Sequence, residues 1–170
     1  DIPGTSATKT IRINGNGATV QFTNTLAERQ LLTLNGTKYM TIDSLTFKSL
    51  DPTYGWGALV TAGASNDTIK RCTFDLTSIT GTASANSNGI VFSGSNTSAT
   101  TTGTNGTSCY IGNNRILATN GAGGPYYGFA MAGANDGNTV VNNEVSNFYF
   151  YGMYFSGGAT NGLIANNNVH

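Results

Sequence analysis

The sequence predicts an all-β chain wound as a parallel β-helix, and three observations predict it. A weak repeat runs along the 170 residues, apolar positions alternate with period two inside it, and Asn recurs at one inward position of the later repeats. The first half of each repeat is a short apolar segment closing on glycine. These segments are Leu31–Gly36, Ala58–Gly63, Gly89–Gly94, Gly128–Gly133 and Gly152–Gly157. The second half is a triplet: an apolar residue, an inward residue three later, and an apolar residue two beyond that. The triplets are Ile42/Leu45/Phe47, Ile69/Cys72/Phe74, Ile111/Asn114/Ile116, Val140/Asn143/Val145 and Ile164/Asn167/Val169.

Glycine and triplet are separated by 6, 6, 17, 7 and 7 residues. The long third gap is read as a loop insertion at 95–108, rich in Thr, Ser, Asn and Gly. Ile11/Ile13 and Val20/Phe22 read as a degenerate first coil. Successive triplets begin 27, 42, 29 and 24 residues apart, and the shortest spacing suits two or three short strands with turns per coil. Aligning the first halves on their closing glycines places Leu32, Leu59, Ile90, Phe129 and Met153 in one inward column. Leu34, Thr61, Phe92, Met131 and Phe155 form the next. In the triplets, Asn114, Asn143 and Asn167 share a column whose amides bond one another along the stack, with Leu45 and Cys72 in the same place earlier. Charges test this register independently. Asp43 meets Lys70, Lys48 meets Asp75, and Arg115 meets Glu144, each pair opposite in sign on adjacent coils.

Composition agrees and excludes other classes. Gly, Thr, Asn and Ser make up 83 residues, while charged residues are 9% and the net charge is zero. Without a basic surplus, nucleic acid is not an expected partner. No apolar run approaches a membrane span, so no membrane insertion is expected. Hydrophobics at 38% are too many for a disordered chain without net charge. One domain, 1–170, is expected. The chain opens on Asp1 with no signal peptide, which reads as a mature or excised piece. It reaches His170 with its last triplet as regular as any. The expectation is therefore a piece of a longer solenoid, or an open C-terminal end that stacks on further coils or another chain.

The segments Leu31–Leu50, Ala58–Thr77 and Tyr127–Val169 resemble the right-handed parallel β-helix repeats of the pectin-lyase-like superfamily. Ile2-Pro-Gly-Thr-Ser-Ala-Thr, Tyr39-Met-Thr-Ile-Asp-Ser-Leu-Thr-Phe and Asn66-Asp-Thr-Ile-Lys-Arg-Cys-Thr-Phe are similar to phrases in long secreted surface proteins of Gram-negative bacteria. The resemblance implies a right-handed parallel β-helix of about five to six coils on a secreted or cell-surface bacterial protein. It leaves activity open, because this superfamily includes lyases, hydrolases, adhesins and plain stalks.

Catalytic patterns of such enzymes do not carry over to this chain. Asp43, Asp75 and Glu144 are assigned to cross-coil pairs. Glu28, Asp51, Asp67 and Asp136 share no column, so a calcium site cannot be assembled from their spacing. Lys38 and Arg71 remain as candidate bases without a partner. The single histidine, His170, is terminal, and Arg115-Ile116 is followed by Leu117 rather than Lys. Cys72 reads as a small buried hydrophobe, Cys109 is out of step with it, and Gly121-Ala-Gly-Gly124 reads as a turn. No catalytic residue, metal or cofactor is expected.

The expected role is structural or adhesive. The alternative is a piece of a polysaccharide lyase or glycoside hydrolase whose catalytic coils lie elsewhere. Carbohydrate is the candidate ligand, because aromatics precede each first-half strand: Tyr54 and Trp56, Tyr126 and Tyr127, Phe150 and Tyr151. Trp56, Ser87, Tyr126 and Phe150 are expected in one column, with Gly57, Asn88, Tyr127 and Tyr151 in the next. Tyr149 and Tyr154 add to the last coil. Asp43-Ser44-Leu45 and Asp67-Thr68-Ile69 resemble bacterial O-glycosylation sites, which makes Ser44 and Thr68 candidate acceptors.

Overall fold

The structure is a computed structural model that describes residues 4–119 and 123–170. All its regular elements are strands, stacked in parallel as a β-solenoid of about six turns. Each complete coil gives one strand to each of three sheets. Sheet one holds Ile11–Asn14, Met40–Asp43, Thr68–Lys70, Tyr110–Gly112, Thr139–Val141 and Leu163–Ala165. Sheet two holds Thr19–Phe22, Thr46–Ser49, Thr73–Asp75, Arg115–Leu117, Glu144–Val145 and Asn168–Val169. Sheet three holds Gln30–Asn35, Gly55–Thr61, Ser87–Phe92, Tyr127–Ala132 and Tyr151–Ser156. A two-stranded patch joins Ala64–Ser65 to Gly106–Thr107. The last two residues of that patch lie within the expected insertion, so the loop proper ends at Asn105.

The triplet register holds throughout. Ile42, Ile69, Ile111, Val140 and Ile164 are Cα partners in sequence, as are Phe47, Phe74, Ile116, Val145 and Val169. Below them, Ile13 pairs with Ile42 and Val20 with Phe47, which completes the first coil. At the bend of that coil an added methyl on Gly15 would run into the Leu45 side chain.

In sheet three one strand differs from the expectation. Leu32, Ala58, Ile90, Phe129 and Met153 form the first column, and Leu34, Val60, Phe92, Met131 and Phe155 the second. Leu59 and Thr61 are therefore not inward. The cause is one extra residue before the glycine. Ala62 takes a left-handed turn at φ 54° ahead of Gly63 at φ 74°, and a methyl added at Gly36 would meet the carbonyl of Ala62. A slip of one residue exchanges the two faces of a strand.

The two bends flanking sheet one share one local design. A left-handed residue is followed by an inward residue. At the bend into sheet two the left-handed residues are Ser44, Arg71, Asn113, Asn142 and Asn166, with φ between 53° and 58°. Asn pays the smallest steric penalty there among residues with a Cβ. The inward residues that follow are Leu45, Cys72, Asn114, Asn143 and Asn167. Asn143 Oδ1 accepts from both the backbone N and Nδ2 of Asn114, at 3.0 Å each, and Asn167 Oδ1 does the same for Asn143. The Nδ2 groups of Asn114, Asn143 and Asn167 donate to Ile69, Ile111 and Val140 carbonyls. Each buried amide is thus satisfied within the stack.

The bend into sheet one follows the same rule with different chemistry. Tyr39, Asn66, Ser108, Gly137 and Asn161 have positive φ. Met40, Asp67, Cys109, Asn138 and Gly162 follow them. Asp67 Oδ1 accepts the Met40 N–H at 2.8 Å, and Asn138 Oδ1 accepts the Cys109 N–H at 2.8 Å.

Candidate functional site

The aromatic corner forms where sheet three begins, and a glycine column shapes it. Gly57, Gly89, Gly128 and Gly152 stack against Phe74, Ile116, Val145 and Val169 of sheet two. A methyl at Gly89 would fall on the Gly128 carbonyl, and one at Gly128 on Val145. This close approach sends the residue before each glycine outward. The outward column is Gln30, Trp56, Asn88, Tyr127 and Tyr151, so Trp56 stands with Tyr127 and Tyr151 rather than with Tyr126 and Phe150. The displacement is the same one-residue shift found in that strand.

Six rings interlock at the last two coils. Tyr127 and Tyr151 stack at 6.2 Å with planes 7° apart, and Tyr154 lies 5.1 Å from Tyr127. Tyr126 touches Tyr127, Tyr149 and Phe150 at 4.8, 5.9 and 5.0 Å, and Phe150 meets Tyr151 at 4.3 Å. Burial and neighbouring tyrosines push the Tyr127 phenol pKa up. Tyr149, Phe150 and Tyr151 are about half exposed, and Tyr126 is partly so.

The other two aromatic candidates lie apart from this surface. Trp56 is fully buried, its Nε1 donating to the Ala85 carbonyl at 3.1 Å. It packs with Leu59, Val91, Ala99, Tyr127 and Ala130. Ala99 comes from the insertion, which folds over the outer face of sheet three. There Gln30 Nε2 donates to the Asn96 carbonyl at 2.7 Å and Ser93 Oγ to the Ser98 carbonyl at 2.6 Å. A signal for this roof was present in the continuous apolar runs Ala58–Val60 and Ile90–Phe92, which mark strands covered on both faces. Tyr54 lies under the Arg29 guanidinium, 5.8 Å from the ring centre.

Several charged groups are engaged in ion pairs. Lys48 holds Asp75 at 2.8 Å and Arg115 holds Glu144 at 2.8 Å, as the register predicted. Asp43 is fully buried and bonds Arg12 and Arg71, with Lys70 Nζ at 3.8 Å. Arg71, expected to lack a partner, therefore has one; its left-handed turn swings it back onto the preceding coil. Burial alone would raise the Asp43 pKa, but Ser44, Arg12 and Arg71 outweigh it and hold the pKa down. Burial pushes Asp67 up despite hydrogen bonds from Thr37 and Met40. Cys72 and Cys109 are free, buried thiols, and burial pushes Cys109 up to about 11. Among the described residues no three His, Cys, Asp or Glu side chains gather as a metal site.

Of the two modification candidates, Ser44 donates to Asp43 Oδ1 at 2.9 Å and Thr68 sits partly exposed in sheet one. Of the turn 121–124, Gly121 and Ala122 lie outside the described residues. A cleft of about 310 Å³ opens at the C-terminal end between Met131, Val140, Phe155 and Ile164, which are core positions of the last coils, and Asn138 and Asn161 line it too. No family model, curated protein or solved structure matches the chain.

Proposed function

We propose that the chain is a non-catalytic structural and adhesive module of a secreted or cell-surface protein, with glycans as ligands of its aromatic corner. One observation carries this reading: six rings converge at the last coils, and three of them are about half exposed. Flat rings of that kind match the apolar faces of sugars. The engagement of Asp43, Asp75 and Glu144 in ion pairs and the burial of Asp67 favour binding over hydrolysis. The likeness to pectin-lyase-like repeats and to bacterial surface proteins belongs to the same proposal and rests on the phrases quoted above. A glycan array tests it with the parent and a Tyr149→Ala/Phe150→Ala variant. Binding that weakens at least about tenfold in the variant supports the reading; equal binding by both, or none by the parent, overturns it.

The open C-terminal edge supports a second element of this reading. Phe155, Ile164 and Val169 are exposed there, in columns that are buried elsewhere. A further layer of parallel strand, repeating the same columns, covers this end in the assembled protein. Such a layer also accepts the Asn167 N–H as Asn167 accepts that of Asn143.

A further inference from the structure

Three of the eight basic side chains converge on one carboxylate in a chain of zero net charge. The outer face of sheet one carries two adjacent rows. Arg12, Thr41, Thr68 and Tyr110 are Cα partners in one; Asn14, Asp43, Lys70 and Gly112 in the other. Arg71 follows Lys70 in the left-handed turn. Arg12 and Arg71 each reach Asp43 Oδ2 through Nη2, so the two guanidinium groups share one oxygen, with Lys70 Nζ 3.8 Å from it.

The charges there do not balance. Asp43 is 0% exposed and neutralises one cation, while the Arg12 and Arg71 side chains remain 52% exposed. Among the described residues Asp43 is the only carboxylate paired with any of the three. Two positive charges are left over around one carboxylate, at a surface that also offers the Thr41 and Thr68 hydroxyls. The Tyr110 ring flanks this surface, lying over Gly112 beside Lys70 in the neighbouring coil. Each guanidinium holds Asp43 through one Nη2, and Arg71 Nε donates to Ser44 Oγ at 3.4 Å, so the other N–H groups of these half-exposed forks remain to meet a tetrahedral oxyanion.

We propose that Arg12, Lys70 and Arg71 form a binding site for the oxyanion of a sulfate or phosphate ester, with Asp43 as the positioning residue. The site stands apart from the aromatic corner and does not depend on glycan binding there. Thr68 lies inside it and Ser44 beside it, so an O-linked sugar on either would cover the site.

Amide chemical shifts of the intact chain, titrated with glucose 6-sulfate and with glucose 6-phosphate at fixed ionic strength, test the proposal. Saturable shifts confined to Arg12, Thr41, Thr68, Lys70 and Arg71 are expected with at least one ester, and the tighter one identifies the source. Lys70→Gln keeps both guanidinium bonds to Asp43, so it leaves the fold intact; it is expected to weaken binding about fivefold, and Arg12→Gln about tenfold. Absence of saturable binding by both esters overturns the site. So do shifts reproduced by sodium chloride, or a Lys70→Gln variant that binds as tightly as the parent.

Discussion

The middle coils and the last coil are built from the same columns but meet solvent differently. In the outward aromatic column Trp56 is 0% exposed, Tyr127 9% and Tyr151 45%. Ile69, Ile111 and Val140 are buried, whereas Ile164 in the same column is half exposed. Residue type hardly changes from Ile69 to Ile164, so position in the stack decides burial in that column, while Trp56 is covered in addition by the insertion and the 83–88 loop. A solenoid coil buries its apolar face only when it has a neighbour on each side. The aromatic corner is therefore half exposed at the last coil and a packed seam one coil earlier.

Substitutions in equivalent columns break this comparison most sharply at glycine. Gly89→Ala is expected to cost about 3 kcal/mol or more in urea unfolding, because its methyl meets the Gly128 backbone, which cannot move independently. Gly158→Ala, near the open end with nothing around its Cβ, is expected to leave the midpoint unchanged. The ladder gives the next largest difference. Asn143→Ala removes the acceptor of two Asn114 hydrogen bonds and the donor to Ile111, and should cost about 3 kcal/mol, against about 1 kcal/mol for Asn167→Ala where water can substitute.

Acid titration sharpens the contrast between the two bends. The pKa values of Asp43, Asp75 and Glu144 are lowered, so their contribution is present above the ordinary carboxylate range and is lost as pH falls through their folded values. Asp67 is raised, so it has the opposite sign: stability is lost as pH rises through its folded value. Asp67→Asn keeps the acceptor for Met40. Thermal unfolding should show it more stable than the parent at neutral pH, with the gain vanishing below 3.8, the ordinary Asp value. The smallest effect concerns the thiols. Buried in the middle coils, Cys72 and Cys109 should react with a disulfide reagent only after unfolding, with the parent's native-state labelling near zero.

These two bends also explain what was legible in the sequence. The bend into sheet two repeats one chemistry, Asn113-Asn114, Asn142-Asn143 and Asn166-Asn167, so its ladder and the flanking triplets could be read directly. The bend into sheet one performs the same task with Asp67, Cys109 and Asn138. No residue type recurs at its inward position, and the column was invisible until backbone geometry aligned it. Ala62 misled for a related reason. A left-handed alanine leaves no composition signal, and aligning on Gly63 shifted Leu59 inward and Trp56 into the wrong column. The aromatic residues were legible, but their exposure was not. Nothing local distinguishes Trp56, roofed by the insertion and the 83–88 loop, from Tyr151 at an open edge.

Native-state hydrogen exchange, resolved residue by residue, tests the central claim that neighbours on both sides seal each coil. The account predicts slow exchange at the Cys72, Asn114 and Asn143 amides, which a ladder oxygen caps from the next coil, and fast exchange at Asn167. Equal protection at Asn143 and Asn167 in the isolated chain would contradict it.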